Sequence, residues 1–153
     1  MPHSGDTMDG VSFTEFIAKS KKDAESQEAL FDVIVSVIEK EVTRNDQKLD
    51  GKPSKVTVFH GHRPPNISVK SYLERIKTFG GCSTCCFVLG VLYLERLASS
   101  DATYLLNSYN MHRLVLTAVM VATKFVDDFY FSNSYWSKVG GIQIEELNGL
   151  ELE

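Results

Sequence analysis

Asn110-Met-His-Arg-Leu-Val-Leu-Thr-Ala-Val-Met-Val-Ala-Thr-Lys-Phe-Val-Asp-Asp128 is the stretch that decides the fold. An amphipathic helix carries one apolar stripe, but here apolar residues occupy nearly every side: Leu114, Val115, Leu116, Ala118, Val119, Met120, Val121, Ala122, Phe125 and Val126. A helix that is apolar all round belongs inside a bundle, with other helices packed about it. The length resembles a membrane span, which takes about 20 residues. However, Arg113, Lys124 and the Asp127-Asp128 pair bracket the apolar core, and the uninterrupted run between them is too short to cross a bilayer. Ala118 and Ala122 lie one turn apart and let a neighbour approach. Lys124 is the odd residue, a cation directly after an apolar turn, near the helix end where the dipole favours positive charge.

Outward from this helix, the chain reads as more helices. Val69, Tyr72, Leu73 and Ile76 give an amphipathic helix extended by Phe79, with Ser68 as N-cap and Gly80-Gly81 as its stop. Another runs from about Ser83 to Leu97, with Cys86, Leu89, Tyr93 and Leu97 on one face and Phe87, Val91 and Leu94 on the next. Leu30, Ile34, Val37 and Ile38, flanked by Phe31 and Val42, predict a helix from Gln27 to about Arg44. Its many β-branched residues make it dependent on tertiary packing. Residues 1–26 read as a flexible polar tail with a short amphipathic piece at Phe13 to Ile17. Asn45 to Lys55 reads as a linker. Val56 to Phe59 has no partner strand and is expected to lie extended on the bundle, followed by a turn that Pro64 and Pro65 stiffen. A short helix is expected over Ser134 to Val139, stopped by Gly140-Gly141, and a last one from Gln143. The chain stops in mid-pattern at Glu153, so this helix is expected to be cut short or frayed. The result is an all-α bundle with residues 110–128 at its centre and an extra N-terminal helix. It divides into a tail (1–26), an N-terminal helix and linker (27–55) and a helical domain (56–153).

Composition narrows the function classes. A chain of 153 residues, 43% hydrophobic, can bury an ordinary core. The net charge of -4 argues against non-specific nucleic-acid binding, which usually needs a basic surplus. All three cysteines fall within five residues, a poor disulfide framework that points to a reducing compartment. No apolar signal core precedes Gly10. Cys82-x-x-Cys85-Cys86, with His60, His62 and His112, invites a zinc reading. Cys85 and Cys86 sit in an apolar helical pattern, however, and small buried hydrophobes explain them better. No phosphate loop, HExxH or GxSxG occurs. Asp127-Asp128 and Glu145-Glu146 read as solvated helix-end charges. Tyr130, Phe131, Tyr135 and Trp136 read as packing residues. A binding module is therefore favoured over an enzyme.

From about residue 60 to 153 the chain resembles a cyclin box, specifically the short P/U-type cyclins related to yeast phosphate-signalling cyclins. The resemblance is carried in order by His60-Gly-His-Arg-Pro-Pro65, Ile67-Ser-Val-Lys-Ser-Tyr-Leu-Glu-Arg-Ile76, Cys82-Ser-Thr-Cys-Cys-Phe87 and Tyr93-Leu-Glu-Arg-Leu97. Asn110-Met-His-Arg-Leu114, Val119-Met-Val-Ala-Thr-Lys-Phe125, Asp127-Asp128, Lys138-Val-Gly-Gly-Ile142, Glu146-Leu-Asn148 and Leu150-Glu151 continue it. The helix before the box, ending Arg44-Asn45-Asp46, resembles the segment preceding it in this subfamily.

The resemblance implies a single cyclin box over 56–153 and a non-catalytic subunit without cofactor or metal. It would bind and activate a cyclin-dependent protein kinase, away from membranes and nucleic acid, in the cytoplasm or nucleus. It further implies that Lys124, Phe125 and Glu151 match positions that anchor the kinase. The Met-Arg-x-x-Leu pattern by which mitotic cyclins dock substrates is absent. Ser68-Val-Lys-Ser-Tyr-Leu-Glu-Arg75 stands there instead. A cyclin-fold adaptor, or a nucleic-acid-binding module like the cyclin-fold cores of transcription factors, is the rival reading, and it needs basic residues grouped on one face.

Overall fold

The computed structural model describes residues 13–153. The first helix, α1, spans Phe13–Asp46, 34 residues. It starts well before the expected Gln27, so the polar stretch up to Ser26 is helical from Phe13 onward. The expected tail over residues 1–12 lies outside the described residues. Phe13 to Asp46 contains no Gly or Pro, and Ala, Lys, Glu and Gln recur between Ala18 and Ala29. These strong helix formers carry the helix without burial. Every described side chain from Thr14 to Leu30 is exposed.

Burial begins at Phe31 and continues through Ile34, Val35, Ile38, Val42 and Asn45. The buried face is rotated from the expected one. Leu30 and Val37 are 43% and 50% exposed, while Phe31 and Val35 face inward. Phe31 sets that rotation. Its ring meets Phe87 edge-on at 5.1 Å, and Lys77 Nζ lies 4.3 Å from its centroid.

The C-terminal end of α1 is clamped by polar contacts. Asn45 Nδ2 donates to Leu106 O at 2.8 Å, Ser108 N donates to Asp46 Oδ1 at 2.9 Å, and the Ser108 hydroxyl donates to Asp46 Oδ2. The following segment makes no strand among the described residues. Phe59 is buried from it, edge-on to Tyr104 at 6.0 Å.

Helix α2 (Val69–Gly80) begins where Ser68 Oγ accepts from Ser71 N at 3.1 Å and ends at Gly81, whose φ of 60° is the left-handed conformation glycine takes without a Cβ penalty. Tyr72, Leu73 and Ile76 are buried, but Phe79 is exposed instead of extending this face. Gly80 takes the packed place: a Cβ there would lie 2.7 Å from Trp136 Cη2.

Helices α3 (Thr84–Ser100) and α4 (Met111–Val126) follow, joined through a 3-10 turn at Ala102–Tyr104. They pack closely at Gly90, where a Cβ would lie 3.3 Å from Val119 Cγ2. Helix α4 is the bundle's axis, with eleven of its residues buried from Met111 to Thr123. Helices α5 (Asn133–Gly140) and α6 (Ile144–Leu152) close one side. Trp136 fills the space beside Gly80, and Leu147 and Leu150 face the core. The fold is all-α, as the sequence patterning anticipates. No helix among the described residues is long and apolar enough to cross a membrane.

Candidate functional site

Lys124 stands in the last turn of α4, and Glu151 stands near the end of α6. The packing of these helices brings the two together, with Lys124 Nζ 2.5 Å from Glu151 Oε1. Both side chains are about three-quarters buried, at 27% and 26% exposure. Asn133, in the first turn of α5, joins them. Its Oδ1 accepts from Lys124 Nζ at 2.6 Å, and its Nδ2 donates to Glu151 Oε2 at 2.7 Å and to Asn148 Oδ1 at 2.8 Å. Three helices thus meet in one polar network. Burial pushes the Glu151 carboxyl up, but the hydrogen bonds from Lys124 and Asn133 and the Lys124 charge outweigh it and hold the carboxyl below its usual range.

Phe125, the third expected site residue, follows Lys124 and turns outward at 79% exposure. It has company that the sequence reading did not assign. Phe129 is 93% exposed, and Tyr130, Phe131 and Leu152 are exposed too. Tyr130 and Phe131 are therefore not the packing residues they were expected to be, although Phe131 stacks on Tyr135 at 4.1 Å. The reason is local. α4 ends at Val126, the connection leaves the bundle, and its rings lose the neighbours that enclose Trp136. Single exposed apolar residues are ordinary, but several large ones close in sequence to a polar network make a candidate interaction surface.

Asp127 does more than solvate a helix end. Its carboxylate accepts from Ser83 Oγ at 3.2 Å and Cys86 Sγ at 3.3 Å, tying the end of α4 to the start of α3. Cys86 is buried in α3, Cys82 is half-buried and Cys85 is exposed. Burial pushes the Cys82 thiol up to about 12 and also raises that of Cys86. Such thiols are poor nucleophiles and poor metal ligands. Among the described residues, no three His, Cys, Asp or Glu side chains converge in a way that would hold a metal ion.

Asn133 is the neighbour of the expected site residues that sequence reasoning missed. Ser132 Oγ accepts from Tyr135 N, so Ser132-Asn133-Ser134 is a helix start. That much is readable locally. The partnership of Asn133 with Lys124 and Glu151 is not.

Comparison with known proteins places the chain in a family. The family model described as Cyclin matches residues 11–153, which takes in all of α1 as well as the later helices. The chain is 44% identical over 120 residues to Cyclin-U4-1 of Arabidopsis thaliana, covering 77% of this chain and 59% of that protein. It is 39% identical over 139 residues to Cyclin-P3-1 of Oryza sativa subsp. japonica, covering 90% of this chain and 58% of that protein. Cyclin-U3-1 of Arabidopsis thaliana is 44% identical over 112 residues, covering 73% of this chain and 50% of that protein. The chain thus spans between half and three-fifths of the length of these relatives.

Proposed function

The chain belongs to the cyclin family, and on that premise we propose that it is a non-catalytic regulatory subunit that binds and activates a cyclin-dependent protein kinase. The contact is the surface around Lys124, Phe125 and Glu151. One observation carries this reading: the largely buried Lys124–Asn133–Glu151 network is bordered in sequence by Phe125, Phe129 and Leu152, all strongly exposed. An interface needs apolar anchors to exclude water and placed polar groups to fix register, and this end of the bundle offers both.

The activating chemistry belongs to the kinase. Phosphoryl transfer in protein kinases requires the αC glutamate to sit against the β3 lysine. A rigid helical surface pressed on αC holds that glutamate inward. The rings supply burial, and Lys124 and Glu151 supply direction. Such a subunit needs no cofactor and acts where its kinase is, in the cytoplasm or nucleus. Residues 56–153 form the box proper, and the buried half of α1 packs on it.

The test is capture of the tagged chain from its own cells, followed by a kinase assay on the eluate. The expected outcome is a cyclin-dependent kinase whose activity exceeds that recovered with a Phe125→Ser variant. Folded protein that retains no kinase, or a kinase recovered equally by both, defeats the proposal.

A further inference from the structure

The other end of α4 carries a different surface. The loop at residues 61–66 lies beside the first turn of α4 and frames an open cleft of about 710 Å³ lined by His62, Arg63, Asn66 and Arg113 among others. A second hollow of about 420 Å³ shares Asn66 and Arg113 and adds Arg75 and His112. The chain has a net charge of -4, yet the two hollows, taken together, are lined by three arginines and two histidines and no carboxylate. We propose that this cleft binds a phosphate group in its dianionic form.

The arginines are held in place without being used up. Arg113 donates from Nε to Glu146 Oε1 at 2.5 Å, and its terminal nitrogens make no hydrogen bond with the described residues. Gly61 makes room for it. A Cβ at Gly61 would lie 3.2 Å from Arg113 Nη1, and Gly61 N donates to Tyr109 O at 2.8 Å, pinning the loop to the entrance of α4. Arg75 is fixed by the last carbonyls of α5, donating from Nε to Val139 O at 2.7 Å and from Nη2 to Lys138 O at 3.2 Å. Its Nη1 remains unspent among the described residues. Arg63 is exposed and makes no hydrogen bond or ion pair with them.

The wall of the second hollow also holds an unsatisfied group. His112 is 9% exposed, and its Nδ1 is buried without a hydrogen-bond partner. Its Nε2 lies 3.4 Å from the Ile67 carbonyl and burial favours the neutral ring, so Nδ1 is an acceptor that calls for a bridging water, and the contacts to an anion fall to the arginines. Guanidinium forks present parallel N–H donors that match phosphate oxygens, and several cations together favour a dianion over a single carboxylate. Pro64 and Pro65 stiffen the rim, so little order is lost when the cleft fills.

Arg113 and Lys124 lie eleven residues apart on α4, about 16 Å along its axis at 1.5 Å per residue. The cleft is therefore separate from the surface proposed for the kinase, and this proposal does not rest on that reading.

The experiment is isothermal titration of the whole chain at low ionic strength with inorganic phosphate, a short phosphoserine peptide, its unphosphorylated form and acetate. Wild-type protein is expected to bind both phosphate probes saturably, and acetate and the plain peptide at least about tenfold more weakly. Arg63→Glu, at a residue with no internal contact, should weaken phosphate binding at least about tenfold, the scale of a lost charge-assisted hydrogen bond. Inorganic phosphate binding as tightly as the phosphopeptide identifies the free ion as the ligand. Tighter phosphopeptide binding identifies a phosphorylated segment of a partner. No saturable phosphate binding, binding unchanged by Arg63→Glu, or acetate binding as tightly as phosphate overturns the proposal.

Discussion

Exchanging the two charges of the network separates its internal role from its external one. Lys124→Glu alone loses an ion pair whose side chains are about a quarter exposed. Solvent screening holds that pair to about 0.5–1 kcal/mol. The variant also places two carboxylates where a cation and an anion stood 2.5 Å apart, and the Asn133 carbonyl then faces a carboxylate instead of an ammonium. The repulsion is of similar size, so the single variant should cost about 2 kcal/mol in all. For a domain of this size that is a fall in Tm of about 4–8 °C. Glu151→Lys should behave alike. The double variant Lys124→Glu/Glu151→Lys restores the pair with its polarity reversed, and the Asn133 amide satisfies it by turning over, exchanging donor and acceptor. Differential scanning calorimetry should therefore show most of the lost Tm recovered. Kinase capture should stay at least about tenfold below wild type, since a partner placed to receive a cation at position 124 now meets an anion. If the double variant recovers capture together with Tm, the two residues act only by bracing α4 against α6, and their role as direct contacts is refuted. If it recovers neither, the internal pairing is not what the geometry implies.

Other outcomes follow from single sites. Phe125→Ser, at an exposed ring, should change stability by less than about 0.5 kcal/mol in urea unfolding while lowering kinase capture. A large loss of stability would mean the ring packs in solution. Gly140→Ala should destabilise, because its Cβ would lie 2.1 Å from Leu116 Cδ2 and 3.0 Å from Cδ1 in the fully buried core. Overpacking of about 1–3 kcal/mol exceeds the gain in helix propensity of about 1 kcal/mol, and a variant melting at or above wild type would show that Leu116 repacks freely. Maleimide labelling of the native chain, read by peptide mass spectrometry, should mark Cys85 first, since Cys85 is exposed while burial raises the thiols of Cys82 and Cys86. Equal labelling of Cys82 would contradict its burial. The native Glu151 carboxyl is depressed, so the stability it contributes is present in full above its unfolded value near about 4.3 and is lost as pH falls through its lower native value. The stability gap between wild type and Glu151→Gln should therefore be flat from about pH 6 upward and close in acid; a gap that widens in acid would reverse the sign assigned here.

The bundle was legible in the sequence where local chemistry and periodicity agreed. The all-round apolar pattern of Leu114 to Val126 marked the central helix, and Ser68 and Gly81 marked the limits of α2. The first half of α1 was not legible, because its described side chains are exposed and a helix held by propensity leaves no apolar period to read. Farther along, Leu30, Phe31, Ile34, Val35, Val37 and Ile38 crowd both possible faces, and only contact with Phe87 and Lys77 chooses between them. Lys124 and Glu151 came from family resemblance, not from spacing: 26 residues separate them, and nothing in either neighbourhood names the other. Asn133 was invisible for the same reason, since a side chain that bridges three helices is specified by packing and not by the residues beside it.

That bridging bears on how the proposed contact works. A free lysine loses up to about 2 kcal/mol of rotamer freedom when a partner fixes it, and much of that loss has already been met here within the folded subunit. An ammonium has three donors, of which Glu151 and Asn133 take two. The third suits one acceptor from outside, such as a backbone carbonyl at the end of a partner helix, where the dipole is negative. Each Glu151 oxygen accepts one internal bond and keeps lone-pair capacity for another. A partner can therefore be received without breaking the internal pair. The separation of the Lys124→Ala and Asn133→Ala variants should show this: loss of Lys124 removes the donor itself, whereas loss of Asn133 leaves the donor and its Glu151 bond but frees its orientation. Kinase dissociation should accelerate more for Lys124→Ala than for Asn133→Ala in surface plasmon resonance. Equal acceleration would mean that the network matters only as a brace.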